Sequence, residues 1–112
     1  MKRTLLYTML ACLGLASAGL AQAEITGNVV KVGVLSDMSG PYADLSGPGS
    51  VVAAKMAVED YIKAAGSKLK VEIVSADHQN KPDVGASVVR KWIDSENVDM
   101  ILDVPTSSVA LA

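Results

Sequence analysis

The sequence predicts an α/β fold, a parallel-sheet βαβαβ unit, and three observations carry that prediction. Apolar runs rich in β-branched residues recur at 29–36, 70–76 and 100–104. Between them lie two segments of helical periodicity bounded by turn residues. The first run (Val30, Val32, Val34, Leu35) is apolar almost throughout, which suits a strand covered on both faces. Strands that alternate with helices are joined by right-handed crossovers, and the sheet is then parallel.

The 112-residue chain opens with a leader. Lys2 and Arg3 give it a positive start, 5–20 is apolar, and Ala21-Gln22-Ala23 is the small-x-small pattern after which a signal peptidase cuts. The expected organisation is a signal peptide over 1–23 and a partial domain over 24–112. The apolar run falls short of the roughly 20 residues that span a bilayer, and Thr8, Gly14, Ser17 and Gly19 weaken it further as an anchor. Cys12 follows Met9-Leu10-Ala11, a poor lipidation context, and reads as a small hydrophobe of the leader. Cleavage after Ala23 leaves no cysteine, hence neither a disulfide framework nor thiolate chemistry. It also leaves eight basic residues against 12 acidic ones, a charge of −4, which argues against nucleic acid and anionic membranes as partners.

Strand one is expected over Val29–Ser36, followed by a loop over 36–49 marked by Gly40-Pro41 and Gly47-Pro48-Gly49. Ser50 is the expected cap of a helix reaching about Ala65. Ala54, Ala57, Val58, Tyr61 and Ala65 form its apolar stripe, and Glu59 and Lys63 stand in the favourable i,i+4 order. Gly66 ends it. Strand two covers 70–76, and Asp77-His78-Gln79-Asn80 forms a polar loop. Pro82 sits in the first turn of the second helix, where a missing N–H costs nothing. Val84, Val88 and Trp92, with Val89 and Ile93 alongside, make that helix's buried stripe, and Arg90 and Lys91 suit its negative end. Strand three covers Met100–Val104, and Pro105-Thr106-Ser107-Ser108 opens a third helix. The run to Ala112 favours helix and carries no stop signal, as expected of a fragment of a longer protein.

Open parallel sheets bind ligands beyond the carboxyl ends of their strands. Three polar loops should meet there: 36–49, 77–80 and 105–108. The last is the strongest candidate, because amides free at a helix start, with the hydroxyls of Thr106, Ser107 and Ser108, can hold a carboxylate without Lys or Arg. Thr106 or Ser107 could equally cap the helix, and the two roles are compatible. Ser39 and Tyr42 in the first loop are further ligand candidates; Gly40-Pro41 could be only a turn. Ser46-Gly47-Pro48-Gly49-Ser50 matches neither G-x-x-x-x-G-K-[ST] nor G-x-G-x-x-G. His78, the one histidine, has no His or Cys companion for a metal site and no G-x-S-x-G serine. It is expected as a loop residue near the pocket rim. Asp103 is expected inside strand three, pairing with a neighbour or orienting the Pro105 turn. No cofactor, metal or catalytic residue is expected.

The leader, Lys31 to Pro41, the helix with Ala57-Val58-Glu59-Asp60, Asp77 to Pro82 and the turn at Thr106-Ser107-Ser108 together resemble one known family. It is the periplasmic solute-binding proteins of ABC transporters, of the branched-chain amino-acid (leucine/isoleucine/valine) type. The likeness covers essentially all of 24–112. It implies the start of the N-terminal lobe of a type I periplasmic binding protein fold, a two-lobed exported protein that closes on its solute. It also implies a permease partner in the inner membrane, and a ligand carboxylate gripped by the turn matching Thr106, Ser107 and Ser108. The chain departs from the family at Leu45, where an aromatic residue is frequent, and at Asn80 and Pro105, where some members carry a cysteine pair. The loop from Tyr42 to Gly49 looks more like relatives that take aromatic acids or amides. The implied function is a non-enzymatic receptor for a small carboxylate such as an amino acid, amide or aromatic acid. The ectodomain of a signalling receptor, or an exported α/β enzyme, are the alternatives.

Overall fold

The structure, a computed structural model, describes residues 26–112; the leader, Cys12 and the cleavage point after Ala23 lie outside the described residues. β1 (Val29–Ser36) is the middle of a three-stranded parallel sheet of order β2–β1–β3, with β2 at Lys70–Asp77 and β3 at Met100–Leu102. Helix α1 (Gly47–Ala65) joins β1 to β2, α2 (Pro82–Ser95) joins β2 to β3, and α3 (Ser107–Ala110) follows β3. The expected βαβαβ unit is therefore present.

Register decides which side chains share a face. Val32 lies between Ile73 and Met100, and Val34 between Ser75 and Leu102, on the face that α1 overlies. Gly33 lies between Val74 and Ile101 on the opposite face, beneath α2. Trp92 of α2 packs so close that a β-carbon on Gly33 would sit 2.5 Å from its ring, so only glycine admits the indole there. Leu35, Trp92 and Val98 form the buried cluster, with Val74, Ala76, Val88, Val89, Ile101 and Val104 packed on it. Lys31 receives Asp99 N–H at its carbonyl (2.9 Å) and donates its own N–H to the Asp99 carboxylate (2.8 Å), which fixes the entry to β3.

Several boundaries and faces differ from the sequence reading. Helix α1 starts at Gly47, so Gly47-Pro48-Gly49 is its first turn and Ser50 lies inside it rather than capping it. Proline is at home in a first turn, and Gly47 takes a φ of 48° that a side chain would resist. The α1 stripe is only partly covered: Ala54 and Val58 are half-buried, Ala57 and Tyr61 are exposed along an open groove beside β3, and Ala65 is exposed as well. In α2, Ile93 is exposed rather than part of the buried stripe. β3 stops at Leu102 because Asp103 turns to a left-handed φ of 57°, so Asp103 is outside the strand.

Candidate functional site

All three strands run the same way, so their carboxyl ends share one rim: Ser36 pairs with Asp77, and Leu102 with Val34. The chain leaves β1 toward α1 on one face, whereas α2 crosses the other face to reach β3. That reversal beside the central strand is where open α/β sheets form a crevice. An open cleft of about 440 Å³ lies there. Tyr42, Leu45 and Ser46 line it from the loop after β1; Asp103, Pro105, Thr106 and Ser107 line it from the segment after β3.

The β1 loop is pinned at both ends. Ser36, fully buried at the end of β1, donates its hydroxyl to Ser46 Oγ (3.0 Å), and its Oγ accepts Gly47 N–H (3.0 Å). Asp37, also fully buried, accepts the N–H groups of Gly40 (2.9 Å) and Tyr42 (3.0 Å). Asp77 ties the loop to β2. Its carboxylate accepts Met38 N–H (3.0 Å), the Ser39 hydroxyl (2.6 Å) and Gln79 N–H (2.7 Å). The Ser39 hydroxyl holds the Asp77 carboxyl below the usual carboxylate range. Burial opposes this, and the Met38 and Gln79 amides and the neighbouring His78 add to it.

The β3 wall is made differently. Thr106 accepts Val109 N–H and Ala110 N–H at its carbonyl (3.0 Å each), which turns the chain into α3. Its hydroxyl makes no capping bond, and Thr106 Oγ1 is buried and unpaired. The N–H groups of Ser107 and Ser108 donate to no acceptor among the described residues. The cleft's polar wall is thus built of backbone donors and hydroxyls, with no Lys or Arg lining it.

Of the residues singled out from sequence, Tyr42, Thr106 and Ser107 line the cleft, and Ser108 follows on the exposed start of α3. Ser39 does not line it; its hydroxyl is engaged by Asp77. The 77–80 loop shares the rim but lies on the far side of β1 from β3. His78 is fully buried rather than a rim residue. It donates its backbone N–H to Ser36 O (2.9 Å), and its Nδ1 accepts Asn80 N–H (2.9 Å), which leaves the ring proton on Nε2. Asp103 pairs with no described residue, so of its two expected roles, pairing with a neighbour or orienting the Pro105 turn, the first is not met among them. Sequence reasoning missed Ser36 and Asp37; an aspartate three residues before Gly40 is a turn signature that could have found the latter. Among the described residues, no group of three or more His, Cys, Asp or Glu could hold a metal ion, and no helix is long and apolar enough to cross a membrane.

A family profile described as periplasmic binding protein matches residues 29–112. A periplasmic binding protein from Burkholderia mallei is similar at 43% identity and a TM-score of 0.67, over 75% of this chain and 22% of its own. A branched chain amino acid ABC transporter periplasmic ligand-binding protein from Burkholderia xenovorans LB400 is 48% identical, with a TM-score of 0.60, over 67% of this chain and 20% of its own. An ABC transporter solute binding protein from R. palustris, in complex with benzoate, is 30% identical, with a TM-score of 0.57, over 75% of this chain and 23% of its own. The chain spans about a fifth of the length of these relatives. No curated protein matches it.

Proposed function

The chain belongs to the periplasmic binding protein family, and from that premise we propose that it forms part of the solute-binding component of an ABC importer. The solute is a small carboxylate (an amino acid or aromatic acid) or a related amide, delivered to a permease in the inner membrane. In this reading the protein is exported to the periplasm, its leader is cut after Ala23, and it turns nothing over.

One observation carries the reading: the free Ser107 amide, with the free Ser108 amide next along the chain, stands beside the Thr106 and Ser107 hydroxyls at a cleft at the sheet's switch point. Hydrogen bonds to a charged group contribute about 1.5–3 kcal/mol each. Two or three of them account for roughly half of the −8 kcal/mol of a micromolar complex. Opposite them stand Tyr42 and Leu45, 44% and 83% exposed, apolar surface that a solute's body can cover. Two of the similar proteins support the class, one named for branched chain amino acids and one in complex with benzoate; both kinds of molecule carry a carboxylate. Ser39 enters this site only by holding the loop through Asp77.

A thermal-shift panel of amino acids, amides and aromatic acids on the full-length protein tests the reading. At least one compound should raise the melting temperature and be recovered unchanged. No stabilising compound, or chemical turnover of the one that binds, would overturn it.

A further inference from the structure

A line of hydrogen bonds in the β1 loop ends at the cleft. Gly47 N–H donates to Ser36 Oγ (3.0 Å), the Ser36 hydroxyl to Ser46 Oγ (3.0 Å), and the Ser46 hydroxyl to the carbonyl of Tyr42 (3.3 Å). An amide can only donate and a carbonyl can only accept, so every proton in the line points the same way, from the buried end of β1 through Ser46. The last bond is the weak one. Hydroxyl-to-oxygen bonds ordinarily span about 2.5–3.0 Å. Tyr42 O already accepts the N–H groups of Leu45 (3.0 Å) and Ser46 (3.2 Å), one for each lone pair. The Ser46 proton is thus an extra donor to a filled acceptor. Serine at a helix start commonly turns its hydroxyl back on the helix amides; Ser46, which precedes α1, does not. It is half-buried, and it lines the cleft that Thr106 and Ser107 line from the other wall. Its hydroxyl is within reach of a solute there, and giving its proton to one leaves Tyr42 O with both of its amides.

We propose that Ser46 is a ligand-contacting residue that selects for charge: its hydroxyl donates to a carboxylate oxygen of the bound solute. The inference rests on reading the cleft as a carboxylate site and deepens it, by placing a donor on the loop wall as well as on the β3 wall. A carboxylate oxygen outcompetes Tyr42 O, because a hydrogen bond to an ionised acceptor is about twice as strong as one between neutral groups. Ser36 strengthens the donor, since a hydroxyl that accepts one hydrogen bond is polarised to give a better one. The consequence is a preference for an acid over its amide, whose oxygen is a neutral acceptor.

The test is calorimetric titration of the full-length protein with matched acids and amides: leucine and leucinamide, phenylalanine and phenylalaninamide, benzoate and benzamide. Wild type is compared with Ser46→Ala and with Ser46→Cys, which keeps an acceptor for the Ser36 hydroxyl but offers only a weak thiol donor; a denaturant melt checks each fold. In wild type the acid of the binding pair should be favoured. Ser46→Ala should weaken the acid by about tenfold or more and the amide by about threefold, so the acid-to-amide ratio falls, and Ser46→Cys should lower it too. Preference of wild type for the amide would overturn the role of Ser46. So would a ratio that does not fall in the variants that fold, whether both Kd values stay as they were or rise together; the carboxylate reading then stands. If only the acid binds wild type, a loss below about threefold in the variants overturns it. Binding of neither acid nor amide to wild type would sink the carboxylate reading, and this inference with it.

Discussion

Replacing Ser107 with proline removes one backbone donor from the cleft while leaving the helix start intact. Ser107 is the first residue of α3, the position where proline's fixed φ is accommodated and its missing N–H breaks no helical bond. Thr106 precedes it at φ −88° and ψ 114°, within the extended region that a residue before proline adopts. The amide removed donates to nothing else among the described residues, so its loss should register in binding and hardly in folding. One charge-assisted hydrogen bond contributes about 1.5–3 kcal/mol, a loss of roughly 10- to 150-fold in Kd. Ser107→Ala, which removes the hydroxyl and keeps the amide, separates the two donors and should cost less. Calorimetric titration of the full-length variants with the best ligand measures the effect; a denaturant melt checks the fold. An unchanged Kd for Ser107→Pro, with the fold retained, would refute the assignment of this amide to the ligand.

Two further outcomes follow from the scaffold. Asp37→Ala leaves the Gly40 and Tyr42 amides without their buried acceptor, and at about 1–3 kcal/mol per orphaned group, softened by loop opening, a loss of about 2–4 kcal/mol is expected in urea unfolding. A β-carbon on Gly40 would lie 2.5 Å from the Asp37 carboxylate, so Gly40→Ala should cost much less in the Asp37→Ala background, and strictly additive losses would refute the contact. Asp77 has a folded-state pKa below its unfolded value. Its contribution is therefore complete above the unfolded pKa, near 4, and is lost as pH falls through the folded value. Asp77→Asn should flatten the fall in stability below about pH 4; parallel pH–stability curves for the two proteins would count against this.

Much of the architecture was readable because it depends on local periodicity. β1 begins and ends where its apolar run does, and α2 begins at its proline. The errors fall where a residue has two local meanings. Gly47-Pro48-Gly49 reads as a loop, yet proline also opens helices, and the Ser36 hydroxyl that receives Gly47 N–H decides for the helix. β3 ends early because Asp103 turns left-handed, a backbone choice that Asp permits but does not announce. The burial of His78 was hidden for the same reason: nothing within the polar run 77–80 says that its second residue turns inward.

The site was legible as a place and not as a set of roles. Strand order puts the β1 and β3 exits on one cleft whatever residues occupy them, so topology alone selects 36–49 and 105–108. The three strand-end aspartates look alike in sequence, each a carboxylate after an apolar run. Only the fold distinguishes them: Asp37 folds the β1 loop back on itself, and Asp77 reaches across to that loop from the neighbouring strand. Asp103, after β3, holds neither loop among the described residues and lines the cleft instead.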